Sequence, residues 1–336
     1  MTSLKDKIIL ITGGTGSFGN EMLRGALLQE CREIRVFSRD ELKQEIMRTE
    51  LRNPRVKFYV GDVRDRASVD HAMRGVELVF HAAALKQVPS CEFFPMQAIL
   101  TNVVGSHHVI ESAAQHGVRS VVCLGTDKAV YPVNTMGMTK SLMEKIAQAA
   151  ARGAGSGDTI ISSVRYGNVM CSRGSVIPLF INQIKKGKPI TITEPQMTRF
   201  LLPLKSAIDL VIFAFANATP GDTFVRKAPA CTVVDLANAL KNMFNSDVPL
   251  QRIGVRHGEK IYETLATIEE LGRAEDMGDY YRLQMDARDL NYSKYSVEGD
   301  LKTEHLFDYT SNNTYRLSVP EIEVLLRTLP EVTREL

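Results

Sequence analysis

The stretch Thr12-Gly13-Gly14-Thr15-Gly16-Ser17-Phe18-Gly19 constrains this chain more than any other. It follows an apolar run, Ile8 to Ile11, and opens a helix-patterned segment. Glycines at 13, 16 and 19 supply a tight turn, close backbone approach to a diphosphate, and close helix–strand contact. The helix that follows offers free N–H groups and a positive dipole end to an anion. Such a turn works only inside a strand–helix–strand unit, and the next strand, Ile34 to Phe37, stands where that unit needs it. The turn, with Thr15, Ser17 and Phe18, is expected to hold a dinucleotide.

The rhythm continues through the first half. Apolar runs at Val56 to Val60, Val76 to His81, Ser120 to Leu124 and Thr159 to Val164 alternate with helix-patterned segments around 17–29, 41–51, 66–73, 95–116 and 137–153. Strands without polar alternation are covered on both faces. The expectation is an α/β fold, a doubly wound parallel sheet of the Rossmann type, over residues 1–168. After Asn168 the pattern changes, and 169–336 reads as mainly a smaller C-terminal substrate-binding domain. Pro178 to Lys186, Ala207 to Ala216, Val233 to Phe244 and Val319 to Thr328 read as helices, and Thr223 to Val225 as a strand returning to the main sheet. Residues 268–315, polar and rich in Tyr and Asp, read as an irregular flap or subunit-contact segment.

Composition removes several classes. With 44% hydrophobic and 24% charged residues the chain is a folding one. Lys+Arg is 41 against Asp+Glu 39, a formal charge of +2, so no basic face for nucleic acid is implied. The longest apolar runs, such as Leu210 to Ala216, fall well short of the ~20 residues of a membrane span. No signal-peptide pattern precedes the first strand. Cys31, Cys91, Cys123, Cys171 and Cys231 show no metal-ligand spacing and read as reduced thiols of a cytoplasmic protein, with no metal expected.

The end of the second strand reads Phe37-Ser38-Arg39-Asp40. An NAD site places an acid there for the ribose hydroxyls. Ser38 and Arg39, with Lys43 a helical turn onward, instead suit the 2′-phosphate of NADP.

The glycine spacing is the form seen in extended short-chain dehydrogenases, and further segments resemble that family. Gly61-Asp62-Val63 resembles its adenine contact, and His81-Ala82-Ala83-Ala84 its cofactor-lining turn. Asn102, Tyr166-Gly167-Asn168-Val169 and Arg256-x-Gly258-Glu259-Lys260 extend the similarity over nearly the whole chain. His81 to Pro89, Thr126-Asp127-Lys128 and Arg165 to Ser175 resemble one branch, the inverting UDP-N-acetylglucosamine 4,6-dehydratases of bacterial capsule and O-antigen biosynthesis. Some relatives in that branch carry the label UDP-glucose 4-epimerase. The resemblance implies a UDP-sugar whose diphosphate is gripped by Arg199 and Arg256, with Lys86, Asn168 and Glu259 on the substrate side. It also implies a homo-oligomer.

Thr126, Asp127 and Lys128 follow the fifth strand, at the sheet edge where open α/β sheets place ligands. A 4-epimerase needs one acid/base at the C4 hydroxyl and room for the ketone to turn. A 4,6-dehydratase must also remove H5 and protonate the departing 6-hydroxyl, so it needs two more proton-transfer groups. By resemblance Thr126 stands beside the reacting carbon, Asp127 is the acid toward O6 and Lys128 the base at C5. A lysine serves as base when desolvation or a nearby cation lowers its pKa. A Lys in place of Glu here is what the C5-inverting branch shows.

One departure stands out. Short-chain dehydrogenases carry Tyr-x-x-x-Lys, and this chain reads Met136-Gly137-Met138-Thr139-Lys140. Lys140 is kept, but a thioether cannot take the C4 hydroxyl proton. Lys128, a relay through Thr126, or Tyr131 could replace the tyrosine. Lys128 is favoured over Tyr131, because Pro132 biases the residue before it toward an extended backbone. Three functions stay open: dehydration with C5 inversion, 4-epimerisation, and a non-catalytic NADP-binding sensor.

Overall fold

The computed structural model describes residues 4–153, 155, 158–172, 174–286 and 307–336. In chain order the strands are β1 (Ile8–Thr12), β2 (Glu33–Ser38), β3 (Val56–Val60), β4 (Leu78–His81), β5 (Ser120–Leu124) and β6 (Ile160–Arg165). Then come β7 (Ile190–Ile192), β8 (Thr198–Phe200), β9 (Thr223–Arg226), β10 (Ala230–Thr232) and β11 (Leu250–Arg252). The last are β12 (Thr264–Ala266), β13 (Ala274–Asp276), β14 (Tyr280–Leu283) and β15 (Tyr309–Thr310).

The main sheet has the order β13-β14-β9-β6-β5-β4-β1-β2-β3. From β3 through β9 every pairing is parallel, and β14 and β13 then add antiparallel at that edge. The chain winds outward from β1 in one direction to β3 and in the other from β4. This leaves a switch point between β1 and β4, where a crevice opens at the strand ends.

Successive side chains of the central strands serve opposite faces. Ile9, Ile11, Leu78, Phe80, Val122 and Leu124 join the apolar layer beneath helices Ser17–Leu28 and Leu204–Asn217. Leu10, Val79, Val121 and Cys123 join the opposite layer, under helices Arg66–Met73, Gly105–Gln115 and Thr135–Arg152. A separate apolar cluster packs helices Val176–Lys185, Val233–Met243 and Val319–Arg327 together beyond β6. Among the described residues, no helix is long and apolar enough to cross a membrane.

Thr223 to Val225 returns to the main sheet as expected, beside β6. Two expectations need correction. The helix expected over 95–116 is one continuous run from Pro95 to Gln115, but its middle, Ile99–Val104, is π-helical, not α-helical. The wide turns hold Asn102, whose side chain reaches across to the 81–86 turn. The 268–315 segment is not irregular throughout, because β13 and β14 extend the main sheet through pairing with β9. Part of that reading, 287–306, lies outside the described residues.

Candidate active site

A cleft of about 920 Å³ runs along the carboxyl ends of β1 to β6. Its far wall is built from the segments around 172–180, 191–201, 231–236 and 256–263.

On one side lies the glycine turn. Gly13 has φ +66°, and a Cβ there would sit 2.9 Å from the Ala83 backbone. A Cβ on Gly19 would come within 2.4 Å of Gly14 Cα. Any side chain at either position would push turn, helix and strand apart. Helix Ser17–Leu28 starts after Gly16 with no side-chain cap, so its first N–H groups remain available to a ligand. Beneath the turn, His81 Nδ1 lies 2.7 Å from Thr12 Oγ1 and its Nε2 lies 2.8 Å from Ser106 Oγ. Thr12 Oγ1 also accepts the Ala83 N–H at 3.2 Å. Burial, helped by the Lys140 charge, pushes the His81 pKa down to about 3, so this tie is neutral.

At the end of β2 the Ser38 and Thr15 hydroxyls lie 2.8 Å apart. Arg39 reaches Asp62 at 3.4 Å and remains half exposed, while Lys43 pairs with Asp40, the cap of its own helix. Gly13, Thr15, Gly16, Ser17, Phe18, Gly19, Ser38, Arg39, Lys43, Asp62, Val63, Ala82, Ala83, Ala84, Tyr166 and Asn168 all line the cleft. Asn102 does not. It is fully buried, and its amide bonds Leu85 N–H (2.8 Å), Leu85 C=O (3.0 Å) and the Thr139 hydroxyl (3.0 Å). It is corrected from a cofactor contact to a brace behind the cofactor-lining turn.

Directly after β5 the chain makes a single 3₁₀ turn, Asp127–Ala129, and helix Thr135–Arg152 presses against it. Asn134 caps that helix through the Gly137 N–H at 2.8 Å. Gly137 is what permits the contact, since a Cβ there would stand 2.2 Å from Lys128 O. One turn onward Lys140 is 6% exposed and donates to Leu124 O at 2.5 Å. Burial pushes its pKa down to about 8, against the pull of Cys123 and Glu144. Met136 is buried with Cys91 and Ala98 and lines the cleft.

Asp127 is 1% exposed. Its Oδ1 accepts from the Thr126 hydroxyl at 2.9 Å and from Lys128 Nζ at 3.0 Å, while Oδ2 is buried without a partner among the described residues. Burial raises the Asp127 pKa, Lys128 offsets part of this, and Glu263 adds to it. Lys128 Nζ lies 3.3 Å from Glu263 Oε1. Burial pulls the Lys128 pKa down, but Asp127 and Glu263 outweigh it, so the ammonium is held above its ordinary range. Desolvation, one of the two routes by which the sequence expected the Lys128 pKa to fall, is thus outweighed by its carboxylate partners.

Arg199 and Arg256 both line the cleft but differ in kind. Arg199 donates to the Thr198, Lys260 and Ile261 carbonyls at 2.7, 2.9 and 3.3 Å, so it ties down the 260–263 loop. Arg256 is half exposed, with Glu259 at 3.6 Å. Lys86 also lines the cleft. Tyr131 does not: it is 52% exposed, near Thr267, Asp308 and Glu269. Its φ is +46°, not the extended backbone expected before Pro132. The residue missed from sequence is Glu263, which belongs to no motif and meets Lys128 across 135 positions of chain.

The arrangement can bind an anionic dinucleotide on one side and move protons on the other. The chain matches the family model "Polysaccharide biosynthesis protein" over residues 9–285, and its C-terminal companion over 286–333. It is 57% identical to proteins named UDP-glucose 4-epimerase from Rickettsia rickettsii and Rickettsia conorii, over 98% of both chains in each case. Among solved structures, Pen from Bacillus thuringiensis is similar at 36% identity and TM-score 0.88, over 98% of this chain and 100% of that one. The dTDP-glucose 4,6-dehydratase DesIV from Streptomyces venezuelae shares the fold at 20% identity and TM-score 0.69, over 76% and 86%. Fold, cleft and both family matches agree: the chain belongs to the polysaccharide biosynthesis protein family, within the nucleotide-sugar epimerases and dehydratases of short-chain dehydrogenase type.

Proposed function

We propose that this protein is an NADP-dependent 4,6-dehydratase of UDP-N-acetylglucosamine that inverts C5, serving surface-polysaccharide assembly in the cytoplasm. The observation that carries the reading is the Asp127–Lys128 ion pair at the end of β5, with Asp127 buried and Lys128 lining the cleft. Epimerisation gives these two groups no task, while dehydration requires both.

The cofactor side fits a dinucleotide because the glycine turn lines the cleft and leads into the uncapped start of helix Ser17–Leu28. Gly13 through Gly19 would hold the diphosphate, Ser38 and Arg39 the 2′-phosphate, and Lys140 the ribose. Bound there, NADP supplies hydride acceptance at C4 and hydride return at C6. Arg256 and Lys86 would meet the substrate's diphosphate, and Arg199 ties down the Lys260 and Ile261 carbonyls in the same cleft.

The raised Lys128 pKa sets how the pair works. At rest Lys128 is an ammonium and Asp127 a carboxylate, joined at 3.0 Å. Passing one proton along that bond gives a carboxylic acid and an amine, which are the acid and base that elimination demands. The transfer brings in no outside proton, and Asp127's burial favours its neutral form. The C4 hydroxyl proton would leave with the hydride by relay through Thr126, which lines the cleft, to solvent. Lys128 then takes H5 and Asp127 protonates O6 as it leaves.

A second reading, 4-epimerisation, has the names of the Rickettsia relatives in its favour. Incubation with UDP-N-acetylglucosamine separates the two. Loss of one water supports the dehydratase, and unchanged mass with an altered sugar supports the epimerase.

A further inference from the structure

We propose that Glu263 is a positioning residue of the reaction centre, fixing Lys128 Nζ against Asp127 at the end of the cleft. This rests on the dehydratase reading for the identity of the step, but not for the contact between Glu263 and Lys128.

Glu263 is 3% exposed and lines the cleft, 135 residues from the lysine it faces. Its Oε1 lies 3.3 Å from Lys128 Nζ and 3.8 Å from Arg199 Nε, and its Oε2 is buried without a partner among the described residues. Its backbone is clamped: Glu263 N–H donates to Ser311 Oγ at 3.0 Å, and Ser311 N–H donates to Glu263 C=O at 2.8 Å. A buried carboxylate costs several kcal/mol unless a cation and further hydrogen bonds compensate it. Arg199 spends most of its donors on the carbonyls of its own loop. Lys128 is therefore the nearest compensating cation, shared between two carboxylates.

Those two carboxylates are pushed opposite ways. Burial dominates at Asp127 and raises it. At Glu263 burial also raises, but Lys128, Arg199 and Lys260 together outweigh it and lower the pKa. Asp127 carries the mobile proton, and Glu263 stays charged. As the Lys128 amine takes H5, the C5–H electrons form the C5–C6 double bond and the C6–O6 bond breaks. O6 takes the Asp127 proton and leaves as water. Lys128 ends as the ammonium it was at rest, held in place between the same two carboxylates.

The test uses the full chain with Glu263→Gln, which keeps size and removes charge. With UDP-N-acetylglucosamine, kcat for water loss should fall about 10²-fold as Lys128 loses its placement, while KM changes little, the mark of an interaction spent on the step itself. Both limbs of the kcat–pH profile should move to lower pH, since the lost charge had held protons on both Lys128 and Asp127. Glu263→Asp, which keeps the charge, should restore most of the profile. Independently of turnover, competitive acetylation of Lys128 read by mass spectrometry should show it titrating at lower pH in Glu263→Gln than in the parent. If the parent releases no water, the dehydratase reading fails and this titration still decides the role of Glu263. A folded Glu263→Gln with unmoved Lys128 titration overturns the proposal, as does a Glu263→Asp enzyme indistinguishable from it.

Discussion

Around the glycine turn the cleft is shaped by backbone and neutral groups: Gly13 at φ +66°, an uncapped helix start, and the Thr12–His81–Ser106 chain. On the reaction side it is shaped by charge, with Asp127, Lys128, Glu263 and Arg199 gathered from three separated stretches of sequence. On the proposed reading the first side would bind a fixed anion and gain from rigid, pre-formed donors. The second would change protonation during its work, and its carboxylates lie within hydrogen-bond reach of Lys128. A binding surface can be built from local turns, but a proton-transfer centre here needs long-range partners.

The largest break in that contrast should come from the reaction side. Asp127→Asn and Lys128→Ala are each expected to lower water loss ~10²–10⁴-fold with cofactor affinity kept, as read by steady-state kinetics and fluorescence titration. Near-parental turnover in both would move the chemistry elsewhere.

Acid should instead weaken the cofactor side through stability. Folded His81 stays neutral down to about pH 3, whereas the unfolded chain takes that proton near 6.5. Between those values the unfolded state binds more protons, so stability falls as pH drops, by about 1.4 kcal/mol per pH unit from this group. Urea unfolding at pH 6 and pH 5 should show a shallower dependence in His81→Asn than in the parent, and equal slopes would speak against it.

Arg39→Asp should shift cofactor preference from NADP toward NAD, because attraction for the 2′-phosphate becomes repulsion. Tighter binding of NAD than NADP to the unaltered protein would contradict the assignment. The smallest effect is expected from Tyr131→Phe, which removes a hydroxyl from a half-exposed residue outside the cleft. Turnover should be nearly parental, and loss of cofactor reduction would make Tyr131 the displaced base.

The same contrast explains what could be read from sequence. Glycine spacing, strand runs and the Thr126-Asp127-Lys128 triplet are local, so the parallel sheet, the turn and the strand-end side of the cleft were legible. The three-residue strands β7, β8, β10 and β11 carry too few residues for a period, and β13 and β14 gain their place only by pairing with β9. Asn102 sits in a helix pattern, and no periodicity reveals that its amide turns inward to Leu85. The Lys128 pKa depends on Glu263, which adjoins it only in the folded chain.

Turnover of UDP-N-acetylglucosamine in D₂O, followed by mass and by NMR at C5, tests the central claim most directly. Removal of H5 by Lys128 and later reprotonation from solvent predicts a product lighter by one water, with inverted C5 carrying one solvent deuterium. A product of unchanged mass, altered at C4 and free of deuterium at C5, would contradict the account.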